Sequence, residues 1–310
     1  MTVPKTRALR LFLEKDAYAP GESVRGRVEL DWPKSRPVRG VRLTFLGTEE
    51  TRITVRKGSG KDARDVSYRE KDVLIGEQLI LWGGDGVGLR RALADALSTV
   101  TGGPDYPLLR AGRHSYDFDF RLPDRALPSF TGTYAKVRYH LTAEVDVPLA
   151  GNLVFEGDVP VVPSGTPRIA PLKVRSTSEA DGILGALRAH LGMNLDLDGC
   201  PLAPREKLQG RLLLRNLSRK KIRGITITLA AVEVARAEGY AREATHPCAT
   251  GFLPTPDPSA PVQDATFRIR LKEFVVPYAG RYSEVTLILL AEIDVALGLD
   301  PVFKVPLEIE

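Results

Sequence analysis

The sequence predicts an all-β protein built from two tandem antiparallel immunoglobulin-like β-sandwiches, with one short helix inserted in the first. Three observations predict this class: segments in which apolar and polar residues alternate, an internal repeat, and turn residues spread along the whole chain. The turn residues are 28 glycines and 23 prolines among 310 residues. Many short strands separated by such residues are typical of a β-sandwich.

The alternating segments follow one another through the first half of the chain. In RALRLFLEK, Leu9, Leu11 and Leu13 occupy every second position. Further segments of this kind are SVRGRVELDW, VRGVRLTFLG, HSYDFDFRLP and YAKVRYHLTAEVDV. A period of two places the apolar residues on one face, which is typical of antiparallel strands that bury that face.

The internal repeat indicates two copies of the same unit. YAPGESVRGRVEL, which begins at Tyr18, aligns with LAPREKLQGRLLL, which begins 184 residues later at Leu202. VRGVRLTF aligns with IRGITITL at the same offset, so a two-strand unit repeats without a gap. GTYAKVRYHLTAEVDV from Gly132 also matches GRYSEVTLILLAEIDV from Gly280, 148 residues later. The smaller second offset means that the second copy is shorter in its middle.

The repeat divides the chain into a first sandwich at residues 1–163 and a second at residues 193–310, joined by residues 164–192. The stretch PSGTPRIAP favours a linker because proline and glycine resist helix and sheet alike. A short helix is predicted to follow it within SEADGILGALRAHLG, with Gly192 as its stop. Its apolar residues fall at helical spacing: Ile183, Leu184, Leu187 and Leu191.

A second helix is predicted within GGDGVGLRRALADAL, at Leu89–Leu97. The order of strand, glycine-rich loop and helix is that of a phosphate-binding site, but the glycine spacing fits neither the dinucleotide nor the Walker pattern. The leucines share one face, which indicates a helix lying on the outside of the first sandwich. The alternative, a helix that meets a membrane or a partner, stays open.

Composition narrows the classes of function. The formal net charge of +5 is mild, and basic and acidic residues are interspersed, which argues against nucleic-acid binding. A mild positive net charge is compatible with an acidic partner or with peripheral contact with an anionic membrane. Two cysteines cannot form a disulfide framework and indicate reduced thiols. With no signal peptide or stretch of about 20 apolar residues, the expected location is cytoplasmic.

Catalytic and metal motifs are sparse, so no catalytic, cofactor-binding or metal-binding residue is predicted. The four histidines are scattered, and neither HExxH nor GxSxG occurs. His246-Pro247-Cys248 resembles half of a metal site but lacks a second pair of ligands.

Two pairs of carboxylates share the spacing i, i+2, which places each pair on one side of a strand. They are Glu144 with Asp146 and Glu292 with Asp294, at the same position of the repeat. Such a pair can perform acid–base chemistry, so an enzyme acting on carbohydrate or lipid is one alternative. The repetition favours a shared structural role instead.

Basic residues cluster at the candidate partner-binding positions. The loop RKGSGKDAR contains Arg56, Lys57, Lys61 and Arg64, and the predicted helix adds two adjacent arginines, Arg90 and Arg91. Loops rich in glycine and charge lie on the surface and often carry binding residues. A merely solvated loop is the alternative interpretation. No aromatic residue is interleaved with these charges, as single-stranded nucleic acid would require.

The first half of the chain resembles the N-terminal domain of arrestins. The resemblance rests on LEKDAYAPGESVRGRVEL, VRGVRLTFLGTEET and LRAGRHSYDFDFRLPDRALPSFTGTYAKVRYHLTAEVDV. The weaker second copy, LAPREKLQGRLLL with IRGITITL and YAGRYSEVTLILLAEIDV, is similar to the arrestin C-terminal domain. Arrestins proper carry one helix just before the Gly-x-His-x-Tyr-x-Phe strand, where GLRRALADALSTV stands in this sequence.

The resemblance implies a non-enzymatic adaptor or scaffold that binds a protein partner, including a segment of a membrane protein, in signalling or trafficking. Two departures limit it: LVFEGDVPVVP lacks the arginine of the arrestin phosphate sensor, and no PPxY motif for ubiquitin ligases occurs. The expected mode of recognition is through loops or by strand addition at a sheet edge. A regulatory protein of the bacterial sporulation-control type, which shares the fold, is the other alternative.

Overall fold

The protein is described by a computed structural model that covers residues 8–84, 106–148, 151–180, 189–216, 221–255, 257–272, 275–296 and 300–310. Within these ranges almost all regular structure is β-strand, and the one helical element is a 3-10 turn at Gly60–Asp62. The predicted all-β class of tandem antiparallel sandwiches is therefore confirmed.

Contacts divide the chain into two compact units. The first comprises Met1–Glu50, Lys71–Thr131 and Lys136–Val162. The second comprises Thr51–Glu70, Gly132–Ala135 and Pro163–Glu310, so two short stretches of the first sequence repeat cluster with the second. The domain boundaries inferred from the repeat stay a prediction.

In the described residues before position 163 there are ten strands. They are β1 (Leu9–Leu13), β2 (Ser23–Trp32), β3 (Arg36–Pro37), β4 (Gly40–Lys57), β5 (Arg64–Gly83), β6 (Leu108–Leu109), β7 (Gly112–Arg121), β8 (Phe130–Thr131), β9 (Ala135–Asp146) and β10 (Leu153–Asp158). One sheet has the order β1-β2-β7, and the other has the order β10-β9-β4-β5 with β8 beside β9. Strands β3 and β6 form a small separate pair.

The described residues after position 163 contain eleven further strands. They are β11 (Arg168–Ile169), β12 (Leu172–Ala180), β13 (Ala189–Leu197), β14 (Cys200–Pro201), β15 (Lys207–Asn216), β16 (Ile222–Ala237), β17 (Tyr240–Pro254), β18 (Val262–Arg270), β19 (Tyr278–Ala279), β20 (Ser283–Val295) and β21 (Val302–Pro306). One sheet has the order β12-β13-β15-β18, and the other has the order β17-β16-β20-β19 with β21 beside β20. Strands β11 and β14 pair separately.

The repeated glycine of the second strand has the same packing role in both copies. Gly26 lies opposite Phe118 in the β2–β7 register, and Gly210 lies opposite Phe267 in the β15–β18 register. A Cβ at either glycine would come within 2.7 Å of the phenylalanine ring. The glycine therefore makes room for an aromatic ring of the core, which explains why it stands in an otherwise apolar strand face.

The helix predicted before the second repeat is wrong where the structure describes it. Ser178 and Ala180 belong to β12, while Leu191 and Gly192 belong to β13, and the two strands pair antiparallel. Ladder hydrogen bonds to a neighbouring strand decide the conformation there, because tertiary pairing overrides the helical spacing of a few leucines. Residues 181–188 of this segment lie outside the described residues, as does the helix predicted at Leu89–Leu97.

Candidate functional site

The loop residues of the predicted binding set meet on one β-hairpin. Arg56 and Lys57 end β4, and Arg64 begins β5. Lys61 falls in the 3-10 turn between the strands. Arg90 and Arg91 lie outside the described residues, so their part in the set stays a prediction. We call residues 51–70, which form the end of this hairpin, the basic hairpin.

The tip of the basic hairpin depends on glycine. Gly58 has φ +88° and Gly60 has φ +60°, a backbone region that other residues rarely adopt. The turn brings Arg56, Lys57 and Arg64, all of them exposed, to the same end of the hairpin. These three cations outnumber the exposed Asp62 and Asp65 of the same tip, so the tip carries a net positive charge, the kind that attracts an acidic partner.

Lys57 is held by two aromatic rings rather than by a carboxylate. Its Nζ lies 5.1 Å from the ring centre of Tyr68 and 5.4 Å from that of Tyr240, and the two rings stack at 4.4 Å. Hydrogen bonds to both tyrosine hydroxyls raise the pKa of Lys57 above its ordinary value. The bond to Lys57 in turn lowers the pKa of the Tyr240 hydroxyl. The ammonium charge is therefore stabilised at a position where it stays accessible.

Two hydrogen bonds hold the base of the basic hairpin against β16 and the turn that follows it. Thr51 Oγ1 donates to the carbonyl of Arg236 at 2.7 Å, and the amide of Glu238 donates to Glu70 Oε1 at 3.4 Å. All four residues belong to the second unit. The anchored base and the Lys57 cluster fix the direction in which the tip points.

A buried carboxylate close to this region was not predicted from the sequence. Glu233, on β16, is fully buried. It accepts hydrogen bonds from the consecutive amides of Thr133, Tyr134 and Ala135 at 2.8, 2.7 and 2.6 Å. Its Oε2 also lies 2.7 Å from His246 Nε2. Successive backbone amides that converge on an anion form a nest, and this one is filled by a side chain of the same unit.

Two signals in the sequence point towards this anchor. Gly132 begins the Gly-x-Tyr motif of the first repeat, and a Cβ there would come within 2.6 Å of Glu233 Oε1. Glu49 and Glu233 also occupy the same repeat position, and both are fully buried. A buried acid that recurs in two copies indicates a fixed partner, although the spacing alone does not name it.

The aspartate of each carboxylate pair forms an ion pair with an arginine at the equivalent position of the repeat. Arg39 Nη1 lies 2.8 Å from Asp146 Oδ1, and the repeat-equivalent Arg223 Nη2 lies 2.7 Å from Asp294 Oδ1. Arg42 also contacts Asp146 at 2.9 Å and is itself buried. The same ion pair closes the same corner of both units, which supports the structural role of these aspartates.

The remaining candidate ligands are dispersed. Cys200 and Cys248 are both buried and neither forms a disulfide, and burial raises the pKa of the Cys200 thiol. In the part of the chain that the structure describes, no group of three or more histidine, cysteine, aspartate or glutamate side chains is placed to hold a metal ion. No helix in the described ranges is both long and apolar enough to cross a membrane.

Comparison with known proteins agrees with this architecture. Residues 10–164 match the family model for the N-terminal domain of arrestin, or S-antigen. The chain is 26% identical over 170 residues to arrestin domain-containing protein 4 of Mus musculus, covering 51% of this chain and 36% of the relative. It is 27% identical over 176 residues to arrestin domain-containing protein 1 of the same species, covering 55% of this chain and 34% of the relative. The matches thus span about a third of each relative's length.

Proposed function

Because this chain belongs to the arrestin family, we propose that it is a non-enzymatic adaptor or scaffold that binds a protein partner in signalling or trafficking. The basic hairpin supplies the contact surface, with Arg56, Lys57 and Arg64 as its exposed charges. The observation that carries the proposal is the Lys57–Tyr68–Tyr240 cluster, since it orders a cation at the tip of a glycine-rich loop.

The chemistry of the tip favours an acidic segment of the partner. Exposed cations raise the rate of encounter with an acidic surface, and each adds a modest contribution to affinity. The two tyrosine rings add area that a side chain of the partner can cover, because aromatic residues are enriched at protein interfaces. Cys200 and Cys248 are buried and form no disulfide, which fits a reducing compartment such as the cytoplasm.

The test is affinity capture from native cells with the wild-type chain and with R56E/K57E/R64E. A matched control, K34E/R110E/R125E, reverses three exposed charges elsewhere in the chain. We expect the hairpin variant to lose specific co-purifying proteins that both the wild type and the control retain. Equal recovery from all three chains would contradict the assignment of the hairpin.

A second arm separates protein binding from membrane binding. The same three chains are floated with vesicles of phosphatidylcholine containing about 30% phosphatidylserine, a composition whose negative surface attracts basic segments. Flotation that depends on the hairpin charges, together with unchanged protein capture, would replace the protein partner by an anionic membrane.

A further inference from the structure

The outward face of the β12-β13-β15-β18 sheet is strongly basic. Its strands alternate, so that Leu208, Leu212 and Leu214 are buried while the residues between them face outward. The outward positions of the four strands carry seven basic residues: Lys173, Arg175, Lys207, Arg211, Arg215, Arg268 and Arg270. Their acidic residues are Asp196, Asp264 and, by register position, Glu179. We call this surface the basic sheet face.

The equivalent sheet of the first unit provides an internal comparison. The outward positions of β1, β2 and β7 are nearly balanced in charge. Their basic residues are Arg10, Arg25, Arg27, Arg113 and Arg121, and their acidic residues are Glu29, Asp31, Asp117 and Asp119. Strands related by the repeat form both sheets, yet the outward face of the first sheet is nearly neutral. The excess of basic residues on the second sheet is therefore not needed for folding.

Internal ion pairs leave most of this charge uncompensated. Lys173 Nζ lies 3.0 Å from Asp196 Oδ2, and Arg211 Nε lies 2.9 Å from Asp264 Oδ1. Within the described part of the chain, the other five basic residues of the face form no ion pair with a carboxylate. Arg268 instead donates to Gln209 Oε1 at 2.9 Å.

One pair of these cations is expected to destabilise the sheet by charge repulsion. Lys207 and Arg270 are direct cross-strand neighbours in the β15–β18 register, and both are exposed. Like charges directly opposite each other destabilise an antiparallel pair. A feature that weakens the sheet without a compensating contact within it is typical of a functional surface.

The shape of the face suits an extended chain. Two depressions of about 460 and 530 Å³ lie on it and share Lys173, Asp196 and Arg211. The first also contains Val174 and Leu213, so its lining is partly apolar. In the described structure, β12 pairs with β13 on one side only and is the edge of the sheet. An extended peptide can place alternate side chains in such depressions, as in β-strand recognition.

We propose that the basic sheet face binds an extended acidic segment of a protein partner, at a surface separate from the basic hairpin. Charge complementarity selects an acidic ligand, and the partly apolar depressions favour a peptide over the flat surface of a bilayer. The proposal stands independently of the role assigned to the hairpin.

The probe is a fluorescent twelve-residue peptide of alternating glutamate and threonine, whose glutamates share one face when extended. The same peptide with glutamine in place of glutamate is the control ligand. Fluorescence anisotropy is measured for the wild type, for K207E/R268E/R270E, and for R56E/K57E/R64E, which changes the net charge by the same amount. We expect about tenfold weaker binding for the face variant and a change within about twofold for the hairpin variant.

Three results would overturn the proposal. They are no binding of the acidic peptide by the wild type, equal losses in the two triple variants, and binding of phosphatidylserine vesicles that needs the face while the peptide does not bind. Equal losses in the two triple variants would extend binding of the acidic peptide to the hairpin, whereas the other two results leave capture through the hairpin unaffected. That capture is measured separately from native cells, so failure of one proposal is distinguishable from failure of the other.

A single substitution separates lost binding from lost folding. R270E places a carboxylate directly opposite Lys207, which replaces repulsion by attraction, so the melting temperature is expected to rise. The same change is expected to weaken peptide binding. A variant that is more stable and binds less well cannot owe its weaker binding to unfolding, whereas unchanged peptide affinity in R270E would contradict the proposal.

Discussion

Glu233 and His246 lie on paired strands, and the imidazole Nε2 stands 2.7 Å from the buried carboxylate that also binds three consecutive amides. The four contacts occupy both carboxylate oxygens. A buried anion is tolerated only when its hydrogen bonds are satisfied, so this arrangement ties Gly132–Ala135 to β16.

Replacing this carboxylate should destabilise the second unit. In E233Q one carboxylate oxygen is replaced by an NH2 group, which is itself a donor and cannot accept hydrogen bonds from the backbone amides. We therefore expect a loss of about 3 kcal/mol in the free energy of unfolding. Equilibrium unfolding in urea measures this change in the free energy of unfolding. The control is E243Q on the exposed side of β17, which should change stability by less than about 0.5 kcal/mol. Equal effects of the two changes would refute the anchor.

The glycine next to the anchor should be sensitive to a single methyl group. A Cβ at Gly132 would come within 2.6 Å of Glu233 Oε1, so G132A is expected to cost about 1–3 kcal/mol. G151A, where nothing lies within 4 Å, is the matched control. In an E233A background the cost of G132A should largely vanish. Persistence of the full cost there would show that the clash is not with the carboxylate.

The repeated aspartates should differ in their contribution to stability. The side chain of Asp146 is 9% exposed and that of Asp294 is 41% exposed, although each binds the equivalent arginine. Breaking the buried pair in D146N should cost about 3 kcal/mol, whereas D294N should cost less than about 1 kcal/mol. Differential scanning calorimetry would measure both. A larger loss in D294N would contradict this order.

His140 should make the fold sensitive to acid. Burial, reinforced by the neighbouring Arg138, lowers the pKa of His140 below its ordinary value of 6.5. The unfolded chain therefore binds a proton more readily than the folded one, and stability is lost as pH falls below about 6.5. Comparing unfolding at about pH 7.5 and pH 5.5, H140Q should show a smaller loss than the wild type. An unchanged difference would exclude His140 as a contributor.

Local patterns in the sequence were sufficient for the fold class. Alternation and the repeat predicted the strands, and the packing of Gly26 and Gly210 against phenylalanine rings explains why the motif recurs. The helix predicted across Leu191 was wrong because apolar spacing of a few residues fits helix and strand equally, and pairing with β12 decided between them.

The chemistry of the surface was harder to foresee. Arg56, Lys57 and Arg64 are near neighbours in sequence, so their grouping on one hairpin could be predicted. Their binding role stays a prediction. Lys57 meets Tyr240, and Glu233 meets the amide of Thr133, across 183 and 100 positions of sequence, and only the fold brings them together. The basic sheet face likewise joins four strands whose charges alternate with apolar residues and so look dispersed.

Strand β16 pairs along almost its whole length with β17 on one side and with β20 on the other. Separating β16 from the sheet requires both of its ladders to open, whereas the short β19 and β21 are each bound on one side. Local unfolding should therefore begin at β19 and β21 and reach β16 last. Glu233 lies on β16, so its hydrogen bonds attach the Gly132–Ala135 segment to the strand of its unit that we expect to open most slowly.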